Sequence, residues 1–131
     1  MRRKLSKARL NKSATNKDDL YKVLHKLGLH DIKIDWASNF TKKPEGMILN
    51  TGNNTIGGTH WVAVSNKTKT YFDPFGMNPP LSIPKDYAWT PLPIQNINFG
   101  HCGDYCCLWL YYDSMGEVDK FYNLFDVGIH N

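Results

Sequence analysis

The chain has 131 residues, 41% of them hydrophobic and 13% aromatic, with 16 Lys and Arg against 12 Asp and Glu. That is one compact domain's worth of core, too short for a second independent unit, and no run approaches the roughly 18 to 20 apolar residues of a membrane span. The net charge of +4 is owed to the first dozen residues, where Arg2, Arg3, Lys4, Lys7, Arg9 and Lys12 stand without an acid. The rest of the chain is near neutrality, so any polyanion affinity is expected in that segment.

Residues 1–15 read as a basic flexible tail, either a nucleic-acid contact or nuclear-targeting element or simply a solvated arm, and residues 16–131 as a single compact domain. No apolar stretch behind the tail resembles a secretory signal, so a reducing compartment is expected. Asn16 is placed to cap a helix with Asp18 and Asp19 in its first turn. Leu20, Val23, Leu24 and Leu27 fall on one face of it, and Gly28 stops it.

Ile32, Ile34 and Trp36 alternate with Asp31, Lys33 and Asp35, the period of a half-buried strand. Met47–Leu49 is a short apolar run that enters the sheet, and the stretch after it is turn material as far as His60. HWVAVSN, NKTK and TYFD then read as strand, turn and returning strand. Six prolines between residues 74 and 93 predict irregular chain, with a short strand near Ile94–Ile97. From Gly103 to about Met115 a proline-free run, apolar nearly all round, predicts a buried central helix starting just after Cys102 and ended by Gly116. A last amphipathic helix over Glu117–Phe125 presents Val118, Phe121, Leu124 and Phe125.

Three clustered cysteines, Cys102, Cys106 and Cys107, are not a disulfide framework, and thiol chemistry or burial is the better reading. A cysteine attacks an amide efficiently only as thiolate, so it needs a lowered pKa or a neighbouring base, and a helix N-terminus lowers the pKa, which selects Cys102. Cys106 and Cys107 read as small buried hydrophobes. His60, at the mouth of a strand, can serve as base, and Asp73, on the neighbouring strand, can set its tautomer. Gln95, seven residues before Cys102, is a candidate oxyanion donor beside the Cys102 backbone N–H. Asp73 can instead be a turn residue before Pro74, and Gln95 a sheet-edge residue. His25, His30, His101 and His130 read as ordinary histidines, and Trp36 and Trp89 as structural. The spaced ligand pairs of a zinc site are missing, so no metal is expected.

The segment GTHWVAVSNKTKTYFDPFG, followed by Gln95 and by Cys102 in CGDYCCLWL, resembles the adenovirus maturation protease (adenain) family. The same order of His-Trp, acid, Gln and Cys-Gly is similar to the proteases of SUMO and related ubiquitin-like proteins. The short length most resembles members from virophages and Maverick or Polinton transposons. The likeness spans about residues 47 to 112.

It implies an α+β fold, a papain-like or adenain-like cysteine-protease core in which a central nucleophile-bearing helix packs on a small mixed sheet. It implies His60 as general base, Asp73 as orienting acid, Gln95 as oxyanion donor and Cys102 as nucleophile, with Trp61 and Gly103 at the substrate. Trp61 can equally be core packing. The implied activity is a thiol endopeptidase that processes viral capsid or core precursor polypeptides during virion maturation, in the virion or in the nucleus, cytoplasm or viral factory of the host cell. No resident cofactor is implied, although such relatives can be stimulated by DNA or a short viral peptide, and no membrane partner is expected. The interval from Asp73 to Gln95 is much shorter than in adenain, and adenain's long C-terminal region is missing. Two alternatives are an isopeptidase of ubiquitin-like modifiers, for which the short 74–94 segment leaves little room, and an inactive nucleic-acid-binding module.

Overall fold

A computed structural model describes residues 16–52, 60–94 and 101–125. The expected tail over 1–15 and Gln95 lie outside these residues. So does the strand expected near Ile94–Ile97 beyond its first residue, and Ile94 itself is not in a strand.

Helix α1 spans Lys17–Lys26. It starts where the Asn16 side chain accepts the Asp19 N–H at 2.9 Å, with Asp18 and Asp19 in the first turn to complement the dipole. It ends before Gly28, whose φ of +78° suits a residue without a Cβ. Leu20, Val23 and Leu24 form its buried face.

Five strands follow: β1 Ile32–Trp36, β2 Gly46–Asn50, β3 Trp61–Ser65, β4 Thr70–Phe72 and β5 Ala88–Trp89. They pair in chain order, with β1–β2 and β4–β5 parallel and the two pairings between them antiparallel. A 3-10 turn at Ala37–Asn39 opens the connection from β1 to β2. Strand β5 was not expected from the sequence. Two residues carry no periodic signal, and β5 is recruited by its partner, Ala88 N–H donating to Lys69 O at 2.9 Å.

Side chains alternate across the sheet, and both faces are covered. Ile34, Ile48, Trp61, Ala63 and Phe72 face the helices, while Met47, Leu49, Val62, Val64 and Tyr71 meet Ala37, Ile83 and Tyr87 on the other side. Burial on two sides is why β2 and β3 read as continuous apolar runs rather than clean alternation. The free edge of β1 is blunted, since Ile34 N–H donates to the Tyr21 hydroxyl at 2.9 Å and Trp36 N–H to Asp35 Oδ1 at 2.7 Å.

Helix α2, Cys102–Ser114, is buried along nearly its whole length. Its Trp109 stacks on Phe72 of β4, ring centroids 5.4 Å apart, and Gly116 (φ +69°) ends it. Helix α3, Val118–Asn123, inserts Phe121 into the same core at 0% exposure, whereas Leu124, expected on the apolar face, is 46% exposed because the helix stops one residue earlier. Among the described residues the fold is therefore α+β, a mixed five-stranded sheet with three helices. No helix among these residues is long and apolar enough to cross a membrane.

Candidate active site

The β3–β4 hairpin sets the first two residues of the site. Ala63 pairs with Phe72 in the antiparallel register, so the entrance of β3 lies opposite the exit of β4. His60 precedes β3, with its carbonyl accepting the Thr51 N–H at 3.1 Å, and Asp73 follows β4. His60 Nε2 lies 2.8 Å from Asp73 Oδ1, and the two side chains are 13% and 4% exposed.

Asp73 is also the turn residue that its place before Pro74 suggests. The same Oδ1 accepts the Phe75 N–H at 2.8 Å, an Asx turn, and the Asp73 carbonyl accepts the Gly76 N–H at 2.8 Å. The two roles are compatible because one carboxylate oxygen has two acceptor sites. Gly76 (φ +68°) lets the chain turn. A Cβ there would sit 2.7 Å from the Leu92 carbonyl carbon and 2.8 Å from Pro93 N, so the 92–94 segment lies directly on this turn. Ile94 N–H donates to Pro74 O at 3.0 Å, which fixes the residue immediately before Gln95. Phe75 stacks on the imidazole, centroids 4.6 Å apart and planes 8° from parallel.

With Nε2 facing a carboxylate, the proton belongs on Nε2 and the lone pair on Nδ1. That Nδ1 is buried and has no hydrogen-bond partner among the described residues. His101 Nδ1 and Trp109 Nε1 are also buried without a partner among the described residues, and it is the carboxylate on the other ring nitrogen that leaves His60 Nδ1 able to receive a proton.

Cys102 is the first residue of α2 and is 2% exposed. Its sulfur is influenced by the backbone N–H groups of Trp61, the neighbour of His60, and of Cys102 itself, and it feels the charge of Asp73. His60, Trp61, Asp73 and Cys102 are thus brought together. The lowering expected of a helix terminus is outweighed at this sulfur. Burial, and next the Asp73 charge, push the thiol up to about 12, outweighing the lowering by the two backbone N–H groups. Sequence reasoning counted the helix terminus and had no measure of how completely packing removes water from the sulfur. Cys106 and Cys107 are wholly buried, and burial drives the Cys106 thiol well above its ordinary value.

Trp61, 7% exposed, belongs to the core and also lines a half-open hollow of about 210 Å³ with Lys17, Ile34, Asp35, Trp36 and Asn50. Trp36, Asn50 and Trp61 form one row across the sheet. Trp36 is not the buried structural residue expected, being 55% exposed at the sheet's end. Gly103 is buried in the first turn of α2. The six basic residues expected to meet nucleic acid, Arg2, Arg3, Lys4, Lys7, Arg9 and Lys12, lie outside the described residues.

Sequence reasoning missed three neighbours of the site. Phe75 was signalled by the D-P-F-G turn, where the residue two after an Asx acceptor is drawn back towards it. Trp36 had no local signal. His101 was read as ordinary, yet its Nδ1 lies 3.5 Å from Oδ2 of the buried Asp104. Among the described residues no group of three or more His, Cys, Asp or Glu is arranged to hold a metal ion.

Comparison of the chain with protein families, with curated proteins and with solved structures finds no match.

Proposed function

We propose that this chain is a cysteine endopeptidase with a Cys102–His60–Asp73 triad on a papain-like core. One observation carries the reading: an imidazole tied through Nε2 to a buried carboxylate at 2.8 Å, its Nδ1 unpartnered among the described residues, with that carboxylate's charge felt by the sulfur at the head of a buried helix. An imidazole with its lone pair left open beside a buried carboxylate and a cysteine suits a general base.

In the reaction, Sγ of Cys102 attacks the scissile carbonyl carbon as its proton passes to His60 Nδ1. A thiol pushed up to about 12 is almost wholly protonated at neutral pH, so proton removal and attack are coupled. Asp73 holds the tautomer and balances the imidazolium. The oxyanion is met by the Cys102 N–H and, following the family likeness, by the Gln95 side chain. The C–N bond then breaks, the amine leaves with the proton from His60, and water activated by the same Nδ1 hydrolyses the thioester. The hollow beside Trp61 supports an approach for an extended polypeptide. The likeness to adenain supports capsid or core precursors as substrates, with cleavage near glycine, and a DNA contact through the basic segment over 1–15.

A thiol-directed alkylator is expected to label the wild type and not Cys102→Ala. Co-expression with a candidate precursor is expected to yield new termini, mapped by mass spectrometry, that vanish in Cys102→Ala. Cuts that persist in that variant would refute the proposal, and labelling without cuts would favour an inactive binding module.

A further inference from the structure

The triad leaves unused a second pair, the half-buried His101 and the buried Asp104, which flanks Cys102 on both sides. Asp104 is 3% exposed and lies in the first turn of α2. Carboxylates are almost never so buried unless paired. Its Oδ2 lies 3.5 Å from His101 Nδ1, a charge contact when the imidazole is protonated rather than a formed hydrogen bond. The His101 ring also meets Tyr105 edge to face, centroids 6.4 Å apart, and Tyr105 is itself 5% exposed.

The start of α2 needs such a brace. His101 occupies the N-cap with φ −112° and ψ 8°, outside the extended region usual there, and its side chain makes no capping hydrogen bond. Two residues on stands Gly103, the residue type that stiffens a helix least. In a capping box the third helical residue reaches back with an acidic or amide side chain to close the first turn. Asp104 holds that position, and it reaches back to the imidazole of the cap residue.

We infer that the His101–Asp104 bracket is a positioning device for the reaction, fixing the first turn of α2 so that the Cys102 N–H points at the developing oxyanion. The inference rests on the peptidase reading. The bracket touches no reacting atom and acts only through the direction of that N–H. Loss of an oxyanion donor costs about 10²–10³ in kcat, and a donor that is misdirected rather than removed costs less. A positioning loss falls on kcat and spares KM, because the ground-state carbonyl makes little of that bond.

The test compares the wild type with His101→Gln, Asp104→Asn and the double variant on a peptide spanning the mapped cleavage site, alongside Cys102 labelling by iodoacetamide, which forms no oxyanion. Each single variant is expected to lower kcat about 10- to 100-fold with KM within about threefold and labelling within about threefold of wild type. The double variant is expected to lose no more than the worse single, because both changes remove one bracket. His101→Gln, whose side chain is the more exposed of the two, serves if Asp104→Asn does not fold. Unchanged kcat in a folded variant, additive losses, or labelling that falls in step with kcat overturns the bracket alone. A wild type that labels but does not cleave removes the peptidase reading itself.

Discussion

Asp73 is asked to do opposing things at the scale of single residues. On the proposed mechanism its charge supports the imidazolium that forms during attack, yet it also helps keep the nearby thiol protonated. Asparagine separates the two roles, since its Oδ1 can still accept from both Phe75 N–H and His60 Nε2. In Asp73→Asn the Cys102 thiol is therefore expected to ionise at lower pH, read as a shift of the iodoacetamide rate–pH profile towards neutrality. Peptide hydrolysis is expected to fall about 10- to 100-fold as the imidazolium loses its counter-charge. Faster alkylation with slower turnover is the signature. The juxtaposition of His60 and Asp73 was legible because a hairpin in register brings its ends together, and that register follows from the apolar pattern of HWVAVSN and TYFD. The state of the sulfur was not legible, because desolvation is set by everything packed around Cys102 rather than by its place on a helix. Trp36 shows the same limit, since the row Trp36–Asn50–Trp61 exists only after strands distant in sequence are paired.

At the scale of elements, the Asp73–Gly76 turn joins the sheet to the 92–94 segment. Gly76→Ala forces a Cβ to within 2.7 Å of the Leu92 carbonyl carbon at a positive φ. We expect a loss of about 2 kcal/mol or more in urea denaturation, with hydrolysis reduced beyond what the unfolded fraction explains, because the displaced segment contacts the turn that carries Asp73. A substitution at Gly28, which has open space around it, is expected to show only the backbone cost and to leave hydrolysis unchanged. Helix α1 was readable from its cap, its apolar face and its terminating glycine. Helix α2 was readable from length and composition, although its start at Cys102 itself is one residue earlier than the pattern suggests. Strand β5 was hidden because proline-rich chain signals irregularity, and two residues can pair on an edge without any pattern of their own.

For the whole molecule, several acidic protons are locked in by packing. Burial is the leading cause that raises the Cys102 and Cys106 thiols and the Tyr71 phenol above their ordinary values. In the unfolded chain the thiols ionise near pH 8.5 and the phenol near 10. Below about pH 8 both states keep these protons, and the groups add no pH dependence. As pH rises further, the unfolded chain releases protons that the folded chain retains, so stability falls. Urea midpoints are expected to drop between pH 8 and pH 10.5, with a smaller drop when Cys102→Ser and Cys106→Ala are combined. The sequential strand order has a different consequence. All five strands precede Cys102 in the chain, and a ribosome delivers the N-terminal side first. A nascent molecule therefore carries His60 and Asp73 out of the exit tunnel before Cys102, so on the proposed mechanism the base and its carboxylate are folded before the nucleophile arrives.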